Sequence, residues 1–104
     1  MDIFISNSRG YRIAELEGEF SLYNVRDMKE IIFSNINPES PSMIVDMRRV
    51  AYMDSSAIGV LYAAQKKLLA LNKELYLARV SDDLLDVMKL AGISFKLIDP
   101  DKDL

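Results

Sequence analysis

The segment from Met43 to Val80 constrains the fold more than any other part of the chain. "SMIVDM" is short, apolar and β-branched, and the turn residues "NPESP" stand before it. That combination marks a buried strand. The run "AIGVLYAAQKKLLALN" then sets Ile58, Leu61, Tyr62, Gln65, Leu68 and Leu69 along one helical face. "ELYLARV" is a second strand. Two strands joined through a helix run parallel, with a right-handed crossover.

The flanking segments extend this unit. "DIFISN" and "YRIAELEG" both alternate, and "SRG" between them ends in Gly10, where a positive φ suits a turn. They read as a β-hairpin. In "SLYNVRDMKEIIFSNI" the residues Leu22, Val25, Met28, Ile31, Ile32 and Ile36 follow helical spacing, with Ser21 as N-cap. "SDDLLDVMKLAG" is a short helix capped by Ser81 and stopped at Gly92. "ISFKLID" is a last strand, and "PDKDL" reads as a frayed polar tail. The order β-β-α-β-α-β-α-β predicts an α/β fold: a mixed, mostly parallel sheet with an N-terminal hairpin and helices packed on it. With 104 residues and no linker or repeat, one domain over residues 1–104 is expected.

Composition removes several classes of function. The chain has no Cys and no His. Thiol nucleophiles, thiolate zinc sites and the Ser-His-Asp triad are therefore excluded, and most transition-metal ligation with them. No Gly-rich phosphate loop is present, which weakens a nucleotide-binding reading. The expectation is a protein that is not an enzyme and needs no cofactor or metal. The net charge is −3, with acids and bases interspersed. No basic stripe invites nucleic acid. No apolar run reaches the length of a membrane span, and "MDIFISNSRG" lacks the features of a signal peptide. A cytoplasmic location follows as the default expectation.

One stretch remains to be explained, "YMDSSAIGVL" at residues 52–61. Asp54 or Ser55 caps the helix, with Ser56 in its first turn. Capping alone needs one short polar side chain, and three stand in a row. Tyr52 and Met53 precede them, in the place of a hydrophobic staple. A helix start at the end of a parallel strand is also where ligands and anions sit in open α/β sheets. Other residues read more plainly. Arg48 and Arg49 belong to a solvated loop or bind an anion near Ser55. Tyr23 and Tyr62 read as core or partly exposed packing. Asp82, Asp83 and Asp86 are surface acids matched to a helix dipole rather than a metal site.

The segment "VDMRRVAYMDSSAIGVL" resembles the signature of STAS domains, in particular the bacterial anti-sigma-factor antagonists. "LEGEFSLYN", "MKLAGISFKLI" and the element order agree with it, so the resemblance covers nearly the whole chain. It implies an antagonist that, when unphosphorylated, binds an anti-sigma factor that is also a serine kinase, and so releases the sigma factor. Phosphorylation by that kinase switches it off, and a serine phosphatase resets it. The resemblance places the phosphoacceptor at Ser55, with Asp54 and Ser56 beside it. Gly59 would let the helix approach a partner, and Ser21, Tyr23, Met53 and Ile58 complete the expected partner-binding surface. The chain departs from the family pattern in two places: Ala57 stands where Gly is usual, and Ser21 where an acid is common. The alternative within the same resemblance is an unphosphorylated scaffold subunit of a signalling or transport complex.

Overall fold

In a computed structural model that describes all 104 residues, five strands form one mixed sheet. The elements are β1 (Asp2–Ser8), β2 (Tyr11–Phe20), α1 (Val25–Ser34), β3 (Met43–Met53), α2 (Ser55–Ala70), β4 (Leu75–Ala78), α3 (Asp82–Leu90), β5 (Lys96–Ile98) and α4 (Pro100–Asp103). The spatial order β1-β2-β3-β4-β5 repeats the sequence order. The first pair is the antiparallel hairpin, turned at Arg9 and Gly10, both at positive φ. Every later pair is parallel.

One face of the sheet carries the core. Ala14, Leu16 and Phe20 of β2 and Val45 of β3 join Met28 and Ile32 of α1 and Ile58, Leu61, Ala64 and Leu68 of α2 in one buried cluster. Met88 of α3 belongs to it as well. Burial of that much apolar surface is what holds the helices on the sheet.

Four expectations need correction. The chain from Arg48 to Met53 is not a loop: it continues β3, paired with β2 as far as Phe20↔Met53. β3 stops pairing with β4 at Asp46↔Ala78, so beyond that point one of its edges faces solvent and tolerates two arginines. Two bulges keep it in step with β2, one between Glu15 and Glu17 and one between Gly18 and Glu19.

Ser21 does not cap α1. Asn24 holds the N-cap position, and its amide is spent on the preceding turn: Oδ1 accepts the Ser21 N–H at 2.9 Å and Nδ2 donates to the Glu19 carbonyl at 2.9 Å. Leu22 therefore lies before the helix and is exposed. On α2 the buried face runs through Ala57, Ile58, Leu61, Ala64 and Leu68, leaving Tyr62 and Leu69 outside. The tail is ordered into the single turn α4, where Asp99 Oδ1 accepts the Asp101 N–H at 2.9 Å.

Candidate functional site

The C-terminal end of β3 runs directly into α2, and Asp54 is the joint. Its backbone N–H donates to the Phe20 carbonyl at 3.1 Å, closing the β2–β3 ladder. Its side chain caps α2, with Oδ1 accepting the Ala57 N–H at 3.1 Å. The second oxygen turns the other way: Oδ2 accepts the Leu22 N–H at 2.9 Å. One carboxylate thus fixes the helix start and the Ser21–Asn24 turn against each other.

Ser55 is the first residue of α2 and is exposed. Ser56 follows it, half-buried. Because Asp54 supplies the cap, the Ser55 hydroxyl is not needed to hold the helix. Met53 and Ile58 occupy the N′ and N4 positions of a hydrophobic staple and both lie in the core. This corrects their assignment as partner contacts, since buried side chains present no surface. They position the helix start instead.

The surface around Ser55 is apolar and open. Leu22 is 68% exposed, Tyr23 97%, Tyr52 53% and Tyr62 42%. Tyr23 is not packing of any kind, contrary to its reading from sequence. Ser21 lies at the base of the same turn, where its Oγ accepts the Tyr23 N–H at 3.3 Å. Gly59 stands one turn along α2 from Ser55, and a Cβ placed there would meet nothing within 4 Å. The structure therefore gathers Ser21, Tyr23, Asp54, Ser55, Ser56 and Gly59 at one end of the molecule. Tyr52, which the sequence sets just before the cap, is exposed as well, and the structure adds Leu22, which sequence reasoning placed in the α1 stripe. The signal for Leu22 was a large apolar residue beside Tyr23 in a short polar turn.

None of the three main hollows of the protein lies at this end. A groove of about 990 Å³ lies elsewhere, between Arg79, Leu97 and α4. Smaller hollows lie under α3 and beside Asp46. Arg48 and Arg49 lie along β3 rather than at the helix start, and Arg49 faces Glu17 at 3.8 Å. An exposed hydroxyl at the same end as exposed apolar side chains suits docking and modification more than small-molecule chemistry. No group of acids is arranged to hold a metal ion, and no helix is long and apolar enough to cross a membrane.

A site of this kind, on this sheet, defines a small α/β binding module. A model of the STAS domain family matches residues 5–103. The anti-sigma-B factor antagonist of Listeria monocytogenes is 32% identical over 77 residues, which cover 74% of this chain and 68% of that protein. Its counterpart in Staphylococcus aureus is 29% identical over 76 residues, 73% of this chain and 70% of that one. Phosphorylated SpoIIAA, a Bacillus cell fate determinant, shares the fold with a TM-score of 0.75 at 21% identity, over 94% of this chain and 90% of its own. The chain belongs to the STAS domain family, among its bacterial anti-sigma-factor antagonists.

Proposed function

We propose that this protein is a partner-switching anti-sigma-factor antagonist controlled at Ser55. In the unphosphorylated state it binds an anti-sigma factor that is also a serine kinase, and the sigma factor is released. Phosphate on Ser55 ends the interaction, and a serine phosphatase restores it. The setting is the cytoplasm, where these partners act.

The observation that carries the reading is the position of Ser55. Its hydroxyl is exposed at the start of α2, dispensable for capping, and at the same end of the molecule as the exposed Leu22 and Tyr23. Relatives named as anti-sigma-B factor antagonists support the partner. A protein of the same fold that exists in a phosphorylated form supports the modification.

The energetics favour a switch read at the interface. A phosphate adds about −1.5 to −2 charges. The α2 dipole favours that charge by about 0.3–1 kcal/mol. Asp54 opposes it by about 1.4 kcal/mol, for a dianion roughly 6 Å away at water's dielectric constant. These effects nearly cancel, so the fold should not change. Burial of an unpaired dianion against a partner costs several kcal/mol, which removes two or more decades of affinity.

The test has two parts. With the anti-sigma factor of the same organism and ATP, one phosphate should add, on Ser55, and Ser55→Ala should take up none. In calorimetric titration Ser55→Ala should bind like the unphosphorylated protein, whereas Ser55→Asp should lose about ten- to a hundredfold. Phosphate mapped to Ser56 or Ser81, or equal losses for both variants, would overturn the assignment.

A further inference from the structure

The outward seam of α2 has a charge character that Ser55 alone does not explain. Ser55, Gly59, Tyr62 and Lys66 follow one another at helical spacing and all are exposed. From Ser55 to Lys73 the chain contains no carboxylate at all, although the protein as a whole is acidic.

The lysines on this side are held over aromatic rings. Lys66 Nζ lies 5.5 Å from the centre of the Tyr62 ring. Lys67 of α2 and Lys29 of α1 both lie over Phe33, at 5.1 and 5.4 Å. None of the three is within 4.0 Å of an acidic group, and the ion pairs of the protein all lie elsewhere. Cation–π contact positions an ammonium without neutralising it. The result is three fixed, unpaired positive charges running back from the Ser55 end across the junction of α1 and α2.

We infer that the partner meets α2 along its length through an acidic protein surface, with carboxylates opposite Lys66 and the Lys29–Lys67 pair. This rests on the proposed docking at Ser55 and extends it by naming the chemistry of the partner. Charge complementarity selects the occupant. Three lysines are fewer than the four to eight that make a membrane-binding cluster. Gly59 opens relief in the seam, which suits a protein side chain more than a plane of headgroups.

The seam separates two jobs. From Ser55 to Lys66 the helix rises about 16 Å, beyond the Debye length of about 8–10 Å at 0.1–0.15 M salt. Lys66 therefore does not neutralise a phosphate on Ser55. The lysines draw the acidic partner in, and a phosphate at the other end of the seam acts separately, through the cost of burying it.

Association kinetics with the anti-sigma factor of the same organism test this, measured at about 50 mM and about 300 mM NaCl. Lys66→Glu should slow association about tenfold at the lower salt, with Lys66→Gln intermediate and K29E/K67E comparable. The differences should shrink at the higher salt. Arg9→Glu makes the same charge change in the hairpin turn, at the opposite end of β2 from Phe20, and should leave the rate within about twofold. Circular dichroism should be unchanged throughout.

If Lys66→Glu and K29E/K67E associate as fast as the parent while Ser55→Asp still blocks binding, the acidic-partner inference is wrong and the switch stands. If the parent does not bind the anti-sigma factor, the docking reading fails and this inference with it. Binding to phosphatidylserine vesicles that Lys66→Glu abolishes would assign the seam to a membrane and overturn the inference.

Discussion

The carboxylate of Asp54 holds the amide of Leu22 at 2.9 Å across thirty-two residues of sequence. The same side chain caps α2 through Ala57. Asp54→Ala should remove both bonds and cost about 1–3 kcal/mol. Asp54→Asn keeps one acceptor oxygen and should lose about half as much. Urea unfolding gives the totals. Amide exchange should show which residue is freed, with the Leu22 and Ala57 amides accelerating together in Asp54→Ala.

Two serines at helix starts should behave differently. Ser81 accepts the Leu84 N–H through its Oγ at 3.2 Å, so Ser81→Ala should cost about 0.5–2 kcal/mol. Ser55 follows a cap that is already satisfied. Ser55→Ala should change stability by no more than about 0.5 kcal/mol. A large loss at Ser55 in thermal unfolding would mean that its hydroxyl is structural.

Tyr23 should matter for binding and not for folding. It is almost wholly exposed, so Tyr23→Ala should leave the unfolding midpoint in place. An exposed aromatic that becomes buried in an interface commonly contributes about 2 kcal/mol or more. The affinity for the anti-sigma factor should then fall about thirtyfold. Unchanged affinity in a calorimetric titration would place the Ser21–Asn24 turn outside the contact.

Met53 and Ile58 should show the reverse pattern. Both are buried, at 3% and 0% exposure. Truncation of either to Ala should cost about 2–5 kcal/mol by leaving a cavity under the helix start. Where such a variant still folds, its affinity measured well below its melting point should drop only through a loosened α2. Ile58→Val, with one methyl group removed, should cost about 0.5–1.5 kcal/mol and keep near-parental affinity.

An alkaline limb of the stability profile should trace to Lys96. Its pKa is raised above 10.5, first by the hydrogen bond to Glu74 at 3.0 Å and then by the charge of that carboxylate. A lysine whose folded pKa is raised contributes stability that is fully present below its unfolded value. The contribution is lost as pH rises through the folded value. Glu74→Gln should therefore flatten the decline above 10.5. The pair is exposed, so the effect should be small, and the variant should lose at neutral pH the same stability that it removes from the alkaline decline. Unfolding at about pH 8 and about pH 11 makes the comparison.

Much of this was legible in the sequence, and the exceptions have physical causes. The hairpin, the parallel units and the caps at Asp54 and Ser81 follow from local chemistry that acts over three or four residues. The extension of β3 through "RRVAYM" did not, because its partner is β2 and no local pattern records that pairing. Ser21 was misread as a cap because Asn24, three residues later, takes its backbone N–H into the turn. At the site, Ser55 and Asp54 were visible as a motif, whereas the bond from Asp54 to Leu22 joins segments far apart in the chain. Met53 and Ile58 are near Ser55 in sequence, but the end of β3 turns Met53, and helical geometry turns Ile58, into the core.

The agreement between strand order in space and in sequence has a consequence for how the chain folds. Each strand adds next to the one made before it, so no pairing has to wait for a later segment to be inserted between neighbours. Loop-closure entropy grows only slowly with loop length, and every closure here spans one turn or one helix. The hairpin is the most local of them and is the natural nucleus. β3 then docks across α1, and that step orders the Phe20–Asp54 contact on which the Ser55 end is built. By this order the Ser55 end should form in the middle of folding, ahead of the short strands β4 and β5.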